Sequence, residues 1–128
     1  MKKQVFKTNR YPLGKGPYSQ AIKVGQFIFV SGTGPLDAET NTSVGGDIKR
    51  QTKQVLDNIE NLLGDAGTSM ANVLKVTVFL KDMNHYASMN EVYRSFFPQS
   101  PPARTCVQVA KIPGDHLVEM DVIALLPE

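Results

Sequence analysis

The sequence has a single cysteine, no tryptophan and no long apolar run, and these shortages exclude several classes of protein. The lone Cys106 cannot form a disulfide within the chain, which argues against a small secreted disulfide scaffold. No run of about 18 apolar residues is available to span a membrane, and Lys2-Lys3 is not followed by the apolar stretch of a secretory signal. We therefore expect a cytoplasmic protein, although a targeting peptide that had been removed would leave no trace.

Clusters of like charge are also lacking. The 14 basic and 12 acidic residues give a net charge of +2 and are scattered along the chain. The densest basic runs are Lys2-Lys3 and Lys49-Arg50, whereas a nucleic-acid-binding protein usually presents a basic stripe with interleaved aromatic residues. The charge pattern therefore argues against a nucleic-acid partner.

Motifs for metals, phosphates and activated serines are missing as well. His85 and His116 are isolated residues, and neither belongs to a spaced set of zinc ligands. The segment Gly14-Lys15-Gly16-Pro17 lacks the upstream glycine and the Ser or Thr after lysine that a phosphate-binding loop requires. No nucleophile elbow occurs. We therefore expect no metal site.

Composition and periodicity predict one α+β domain over residues 1–128. A hydrophobic content of 41% and a charged content of 20% are typical of a globular chain. The order of predicted elements, β-β-β-α-β-α-β-β, indicates a single mixed β-sheet with two helices packed on one face. The predicted strands cover about 4–8, 19–24, 26–31, 73–81, 104–110 and 117–125, and the helices about 48–63 and 84–97.

Local signals mark several of these elements. Asp47 is a candidate N-cap for the first helix, and Gly64 or Gly67 is its candidate stop. Gly25 separates two β-rich runs and predicts a hairpin with a tight turn. One face of the strand at 73–81 is expected to consist of Leu74, Val76, Val78 and Leu80.

The last two strands carry the polar residues of interest. In the first of them, the apolar face that we expect in the core consists of Thr105, Val107 and Val109. In the second, the apolar face consists of Val118, Met120, Val122 and Ala124. If these strands are neighbours joined through residues 112–115, the side chains of Arg104, Cys106 and Glu119 come together on the sheet face away from the helices.

Both faces of the predicted sheet carry large apolar side chains. Phe27, Phe29, Phe79 and Ile123 are all predicted to point away from the helices. Because such a face is not left in water, we expect a second copy of the chain to cover it. The protein should therefore be a homo-oligomer.

The run Pro102-Ala103-Arg104-Thr105-Cys106-Val107, followed by Glu119-Met120, resembles the signature of the Rid family, the YjgF-like reactive intermediate deaminases. The same order of segments continues with Gly16-Pro17-Tyr18-Ser19-Gln20-Ala21, Val30-Ser31-Gly32 and Met89-Asn90-Glu91-Val92-Tyr93, so the resemblance spans almost the whole chain. It implies a chorismate-mutase-like fold and a homotrimer with clefts between subunits. The implied activity is the hydrolytic deamination of reactive 2-imino or 2-enamino acids, such as 2-iminopropanoate and 2-iminobutanoate, to 2-oxo acids and ammonia without a cofactor.

Arg104 and Glu119 are the candidate catalytic residues. The planar guanidinium of Arg104 suits bidentate binding of the carboxylate of a small 2-imino or 2-oxo acid, which is also the role that the resemblance implies. Glu119 can accept a proton as water attacks the imine carbon and return it to the departing amine. The structural alternative is an ion pair between the two residues that only stabilises the sheet.

The other candidate site residues, which would bind substrate, are Tyr18, Ser31, Gly32, Asn90 and Cys106. Tyr18 lies in a loop and either closes over the ligand or only anchors that loop. Ser31 and Gly32 end a strand, where a glycine lets a ligand approach the backbone. Asn90 is included on the resemblance, and a solvated helix residue is the alternative. A lone strand cysteine is typically a small buried hydrophobe, so we assign the backbone N–H of Cys106, not its thiol, to the substrate.

One segment departs from the family pattern and leaves the preferred acyl chain open. Thr33-Gly34-Pro35 stands where many relatives have glutamine, an apolar residue and proline. Two other functional classes also remain open. RNA cleavage or translation inhibition, reported for some proteins that resemble this family, would need a basic groove. A regulatory protein that senses 2-oxo acids without turnover would use the same Arg104.

Overall fold

The structure, a computed structural model, describes residues 1–128 and contains one six-stranded sheet with two α-helices. In chain order the elements are β1 (Gln4–Phe6), β2 (Ala21–Val24), β3 (Phe27–Thr33), α1 (Ile48–Asp65), β4 (Val73–Leu80), α2 (Tyr86–Phe96), β5 (Ala103–Gln108) and β6 (Val118–Leu125). The strands follow the order β1-β2-β3-β6-β4-β5, and β4 and β5 run parallel while the other neighbours are antiparallel. The predicted order of elements and the mixed sheet of an α+β fold are confirmed.

A tight turn joins β2 and β3. Val24 pairs with Phe27, so the turn consists of Gly25 and Gln26. Gly25 has a φ of 56°, in the left-handed region that glycine enters without a steric penalty. The hairpin predicted around Gly25 is confirmed.

Helix α1 begins and ends as its sequence predicts. The Asp47 side chain accepts a hydrogen bond from the backbone N–H of Arg50 at 2.9 Å and so caps the first turn. The helix continues through Gly64 and stops before Gly67, whose φ of 92° cannot extend it. The apolar stripe that packs towards β3 and β6 consists of Ile48, Val55, Leu56, Ile59, Leu62 and Leu63.

Helix α2 is shorter than predicted because a 3-10 turn occupies Met83–His85 before it. Met89 and Tyr93 are its buried residues, and they join the core between the sheet and α1. The two helices pack against each other over one face of the sheet. Neither helix is both long and apolar enough to cross a membrane.

Two expectations about the strands are wrong. Strand β4 lies between β5 and β6, so the last two strands are not neighbours. The cause is that β4, α2 and β5 form a β-α-β unit, in which the connecting helix returns the chain to a parallel neighbour. Leu74 is exposed and Val73 is buried in its place, because the register against β6 shifts between Val73 and Lys75.

The faces of β5 are reversed relative to the prediction. Arg104 and Cys106 pair with fully buried valines of β4, so both side chains point to the helix side of the sheet. Val107, which was expected in the core, is 38% exposed on the opposite face. Within one chain, the predicted cluster of Arg104, Cys106 and Glu119 away from the helices is therefore wrong.

The sheet face opposite the helices is apolar and partly open. Phe27 and Phe29 are each 42% exposed, and their rings lie 6.5 Å apart. Phe79 and Ile123 are half-buried in the neighbouring strands. The predicted alternation of these residues with buried ones is confirmed.

Candidate functional site

Arg104 is held in place by side chains of α2. One guanidinium nitrogen, Nη1, donates to Oδ1 of Asn90 at 2.8 Å, and Nη2 donates to the Tyr86 hydroxyl at 3.1 Å. The guanidinium also lies over the ring of Tyr93, 4.7 Å from its centroid. Neutral oxygen atoms and aromatic faces therefore orient the cation without neutralising it.

No carboxylate of the chain pairs with Arg104. The four ion pairs are Arg10–Asp65, Lys49–Glu91, Lys53–Asp57 and Lys81–Asp115. Arg104 instead lines a pocket of about 320 Å³ with Asn90, Tyr93 and Pro102, which we call the Arg104 pocket. An oriented, unpaired guanidinium beside open space can bind a carboxylate through two charge-assisted hydrogen bonds.

Cys106 lies two residues after Arg104, on the same face of β5. Burial raises the pKa of its thiol above the usual range, and the Arg104 charge opposes this effect only in part. The thiol therefore stays protonated at neutral pH. The backbone N–H of Val109 donates to Leu80 of β4, so by alternation the N–H groups of Arg104 and Cys106 point to the free edge of the sheet.

Glu119 lies on the other face of the sheet, paired with Phe79 of β4. It lines a separate cavity of about 440 Å³, the Glu119 cavity, together with Tyr18, Gly32 and the segment 33–36. A Cβ added to Gly32 would collide with the Glu119 carboxylate. Glycine at position 32 therefore lets the carboxyl group lie against the backbone of β3.

The Glu119 carboxyl group is partly desolvated and has no cationic partner in the chain. Burial, and secondarily the charge of Asp121, raise its pKa above the usual value for glutamic acid. It takes part in none of the four ion pairs of the chain. A carboxylate whose pKa is raised accepts a proton more readily than an ordinary glutamate does.

Tyr18 reaches the Glu119 cavity from the loop that follows β1. Its side chain is 57% exposed and lines the cavity with Lys15. The ring lies so close to Gly14 and Gly16 that a Cβ on Gly14 would be 2.7 Å from it. The loop glycines therefore provide the space in which this ring packs at the mouth of the cavity.

Ser31 does not line either site. Its hydroxyl donates to the Ser19 carbonyl at 2.6 Å, and its N–H donates to the Gln20 carbonyl at 3.0 Å. Both donors of Ser31 are thus used to attach the loop to β3. In this structure neither donor of Ser31 is free for a ligand, and the residue fixes the position of Gly32.

Sequence reasoning missed several residues of the two sites. Tyr86 precedes Asn90 by four positions and Tyr93 by seven, a spacing that places all three on one side of a helix and could have been recognised. His116, considered only as a metal ligand, is buried in the wall of the Glu119 cavity. The sequence carried no signal for that position, because residues 112–117 have no regular periodicity.

The structure therefore divides the predicted site residues into two groups. Arg104, Asn90 and Cys106 come together beside α2, whereas Tyr18, Gly32 and Glu119 come together on the opposite face. The ion pair between Arg104 and Glu119, the structural alternative, is not formed within the chain. One copy of the chain thus presents the Arg104 pocket and the Glu119 cavity on opposite faces of its sheet.

Comparisons with known proteins match the chain over nearly its whole length. The family model described as Endoribonuclease L-PSP matches residues 8–126. A RutC family protein of Pyrococcus abyssi is 55% identical over 124 residues, which cover 97% of this chain and 98% of the relative. The 2-iminobutanoate/2-iminopropanoate deaminase of Mus musculus is 40% identical over 123 residues, which cover 96% of this chain and 91% of the relative.

A solved structure agrees with the fold. The crystal structure of TdcF from E. coli with bound serine matches with a TM-score of 0.92 and 35% sequence identity. The match covers 97% of this chain and 99% of that one. The similarity thus includes the strands and loops that form both the Arg104 pocket and the Glu119 cavity.

Proposed function

The chain belongs to the Rid family, whose family model is described as Endoribonuclease L-PSP, and on this basis we propose that it is a hydrolytic deaminase of reactive 2-imino and 2-enamino acids. Its substrates in this proposal are 2-iminopropanoate and 2-iminobutanoate, and its products are the 2-oxo acids and ammonia. The whole chain, residues 1–128, acts as one domain in the cytoplasm and needs no cofactor in this proposal, because an activated imine can be hydrolysed by water with proton transfer alone.

The observation that carries the proposal is that the guanidinium of Arg104 is oriented but not paired with a carboxylate. Its guanidinium is held by Asn90 and Tyr86 and has no carboxylate partner in the chain. A structural arginine would be expected to pair with an acid, whereas an arginine that binds substrate must keep its charge available. The Arg104 fork therefore binds the substrate carboxylate, and the free N–H of Cys106 binds a second polar atom of the ligand.

Glu119 performs the proton transfers in this proposal. Its carboxylate accepts a proton from water as the water oxygen bonds to the imine carbon, and it passes that proton to the imine nitrogen. It then accepts the hydroxyl proton of the tetrahedral intermediate and delivers it to the same nitrogen. The C–N bond breaks, ammonia leaves and the C=O bond of the 2-oxo acid forms. Tyr18 closes the cavity, and the backbone at Gly32 lets the substrate approach Glu119.

A second copy of the chain must complete the site. Arg104 and Glu119 lie on opposite faces of one sheet, so a small substrate cannot contact both within a single chain. The open apolar face with Phe27 and Phe29 provides a surface on which copies can associate. We propose a homotrimer in which the Arg104 pocket of one subunit adjoins the Glu119 cavity of the next.

The test of the activity is a coupled assay. Threonine dehydratase releases the unstable imine of 2-oxobutanoate, which hydrolyses slowly by itself in an amine-free buffer. Adding the purified protein should accelerate 2-oxobutanoate formation well above that spontaneous rate, while heat-denatured protein should not. An unchanged rate at micromolar protein would contradict the deaminase proposal, and binding of 2-oxobutanoate without acceleration would favour a regulatory role.

A second candidate function is RNA cleavage, which the description of the matching family model favours. The charge distribution favours it less, because Lys49 and Lys53 of the basic end of α1 are already paired with Glu91 and Asp57. Incubation of labelled RNA with a nuclease-free preparation tests this function. Cleavage that disappears in Arg104→Ala would favour the ribonuclease, and binding that vanishes between about 50 and 200 mM salt would indicate incidental electrostatics.

A further inference from the structure

His116 occupies an unusual place in the wall of the Glu119 cavity. The imidazole is buried, and its Nδ1 has no hydrogen-bond partner within the chain. Buried polar atoms are almost always paired, and an unpaired one in a native structure calls for a functional explanation. The ring lines the Glu119 cavity and makes no hydrogen bond within the chain, so a ligand there would lie beside a polar group whose hydrogen-bonding capacity is unused.

Two glycines make the space for this ring. A Cβ on Gly34 would lie 3.1 Å from Nδ1 of His116, and a Cβ on Gly114 would lie 2.7 Å from its Cε1. An apolar side chain at position 34, which many members of the family carry, would therefore crowd the imidazole and displace it by a few tenths of an ångström. Gly34 thus leaves room for the imidazole of His116, and this part of the wall of the Glu119 cavity is polar where many relatives have an apolar side chain at position 34.

Other polar groups of this part of the wall are already satisfied. The Tyr11 hydroxyl is hydrogen-bonded to the Thr33 hydroxyl, and the Thr33 hydroxyl donates to the Ser31 carbonyl at 2.9 Å. Burial lowers the pKa of His116 below its usual value, an effect that the charge of Asp115 opposes only in part. At neutral pH the ring is therefore an uncharged group with one donor and one acceptor nitrogen.

We propose that His116 is a specificity-determining residue that hydrogen-bonds a neutral polar group on the side chain of the substrate. The pair Gly34 and His116 thus directs this chain towards 2-imino acids with polar side chains and away from purely alkyl ones. The inference rests on the proposed function, because it assumes that the substrate of the Glu119 cavity is a 2-imino acid. A site that hydrogen-bonds a polar group strongly rejects an analogue that lacks this group. An apolar pocket rejects an analogue that carries an extra polar group less strongly.

Binding of two stable amino acids tests the hydrogen-bonding role of His116 without any turnover. Serine and 2-aminobutanoate differ only in a hydroxyl that replaces a methyl group, and their affinities can be measured by calorimetry or ligand-observed NMR. We expect the wild type to bind serine about fivefold more tightly, a difference equivalent to one neutral hydrogen bond. His116→Leu should abolish the preference. His85→Leu, a control matched for its buried unpaired Nδ1 but outside the cavity, should retain it.

Turnover of two imines tests the same wall in the reaction. An amino-acid oxidase converts glutamine and methionine, which have side chains of similar length, to their 2-imino acids, and semicarbazide traps the imine that is not hydrolysed. The ratio of kcat/KM for the glutamine imine over the methionine imine should fall about tenfold in His116→Leu. If that variant does not fold, Gly34→Ala, which crowds the ring, should lower the ratio in the same direction.

The outcomes separate this inference from the deaminase proposal. If the wild type hydrolyses both imines and neither variant changes the ratio, the role of His116 is wrong and the deaminase proposal stands. If no imine is hydrolysed but the preference for serine depends on His116, the recognition of a polar side chain by His116 is supported and the deaminase proposal is wrong. Equal affinity of the wild type for serine and 2-aminobutanoate overturns the inference.

Discussion

The Arg104 pocket and the Glu119 cavity are built in different ways. The Arg104 pocket is formed by regular elements, and its cation is fixed by hydrogen bonds from β5 to α2. The Glu119 cavity is walled largely by loops around residues 11–18, 33–43 and 113–116. Its carboxyl group lies against Gly32 in a partly desolvated place.

This difference corresponds to two chemical tasks. A guanidinium never loses its proton at physiological pH, so a rigid arginine suits recognition and cannot exchange protons. A carboxyl group with a raised pKa accepts protons more readily than an ordinary one, and loops around it can close over a ligand. In the proposed reaction, recognition therefore belongs to the Arg104 pocket and proton transfer to the Glu119 cavity.

The largest effect is expected for Glu119→Gln. Loss of the general base should lower kcat by about 10²- to 10⁴-fold, while 2-oxobutanoate still binds through Arg104. Because the folded protein raises the pKa of Glu119, ionising this carboxyl group in the folded state opposes folding as pH rises through that pKa. The variant should therefore keep or slightly raise Tm at neutral pH.

Activity, ligand binding and thermal unfolding of Glu119→Gln are measured on one preparation, with Glu60→Gln on the exposed side of α1 as the control. A variant that keeps near-normal turnover and loses several degrees of Tm would show that Glu119 stabilises the fold. The assignment of proton transfer to this cavity would then be wrong.

Arg104→Ala should have the next largest effect, in kcat/KM. Two charge-assisted hydrogen bonds to a carboxylate are lost, so kcat/KM should fall by about 10²-fold or more. Arg104→Lys should recover little, because an ammonium group keeps the charge but loses the planar fork. Arg50→Ala, which removes an exposed arginine of α1, is the matched control. Full recovery in the lysine variant would mean that charge alone matters and that the rigid geometry of this pocket does not.

Much of the fold could be predicted from local signals. Asp47 and Gly67 delimit α1, and Gly25 marks the hairpin. The alternation of residues along β6 correctly places Met120 and Glu119 on opposite faces. These features could be predicted because each one depends only on residues that are close together in sequence. The position of β5 could also have been inferred, since a strand, a helix and a strand in succession form parallel neighbours.

The division of the site could not be predicted in the same way. Alternation shows that Arg104 and Cys106 share a face, but it does not show which face when both sides of a sheet are apolar. The partly exposed Val107 carried the same signal as a core valine. The contact of Arg104 with Asn90 depends on how α2 crosses the sheet, and only the resemblance had pointed to Asn90.

Mixed oligomers should partly restore activity and test whether the two sites act across subunits. Arg104→Ala and Glu119→Gln chains with different tags are coexpressed in equal amounts. In a trimer with shared sites, random assembly leaves about a quarter of the sites with both residues intact, so about a quarter of wild-type activity should return. Light scattering should show particles of three 14.1 kDa chains. Activity that stays at the level of the single variants, or a stable monomer, would mean that the two sites do not meet.

The smallest effect is a shift of the pH profile in Asp121→Asn. In wild type kcat/KM should fall as pH drops through the pKa of Glu119, and this fall should lie above the usual range of glutamic acid because burial, and then Asp121, raise that pKa. Removing the Asp121 charge lowers the pKa of Glu119, so the acidic limb should move to lower pH while the rate on the plateau changes little. Burial remains the larger cause, so the limb should still lie above that of an exposed glutamic acid. The profile of Glu60→Gln should coincide with that of wild type. An acidic limb that does not move, or that moves to higher pH, would show that the titrating group is not Glu119 and that the Glu119 cavity is not where protons are transferred.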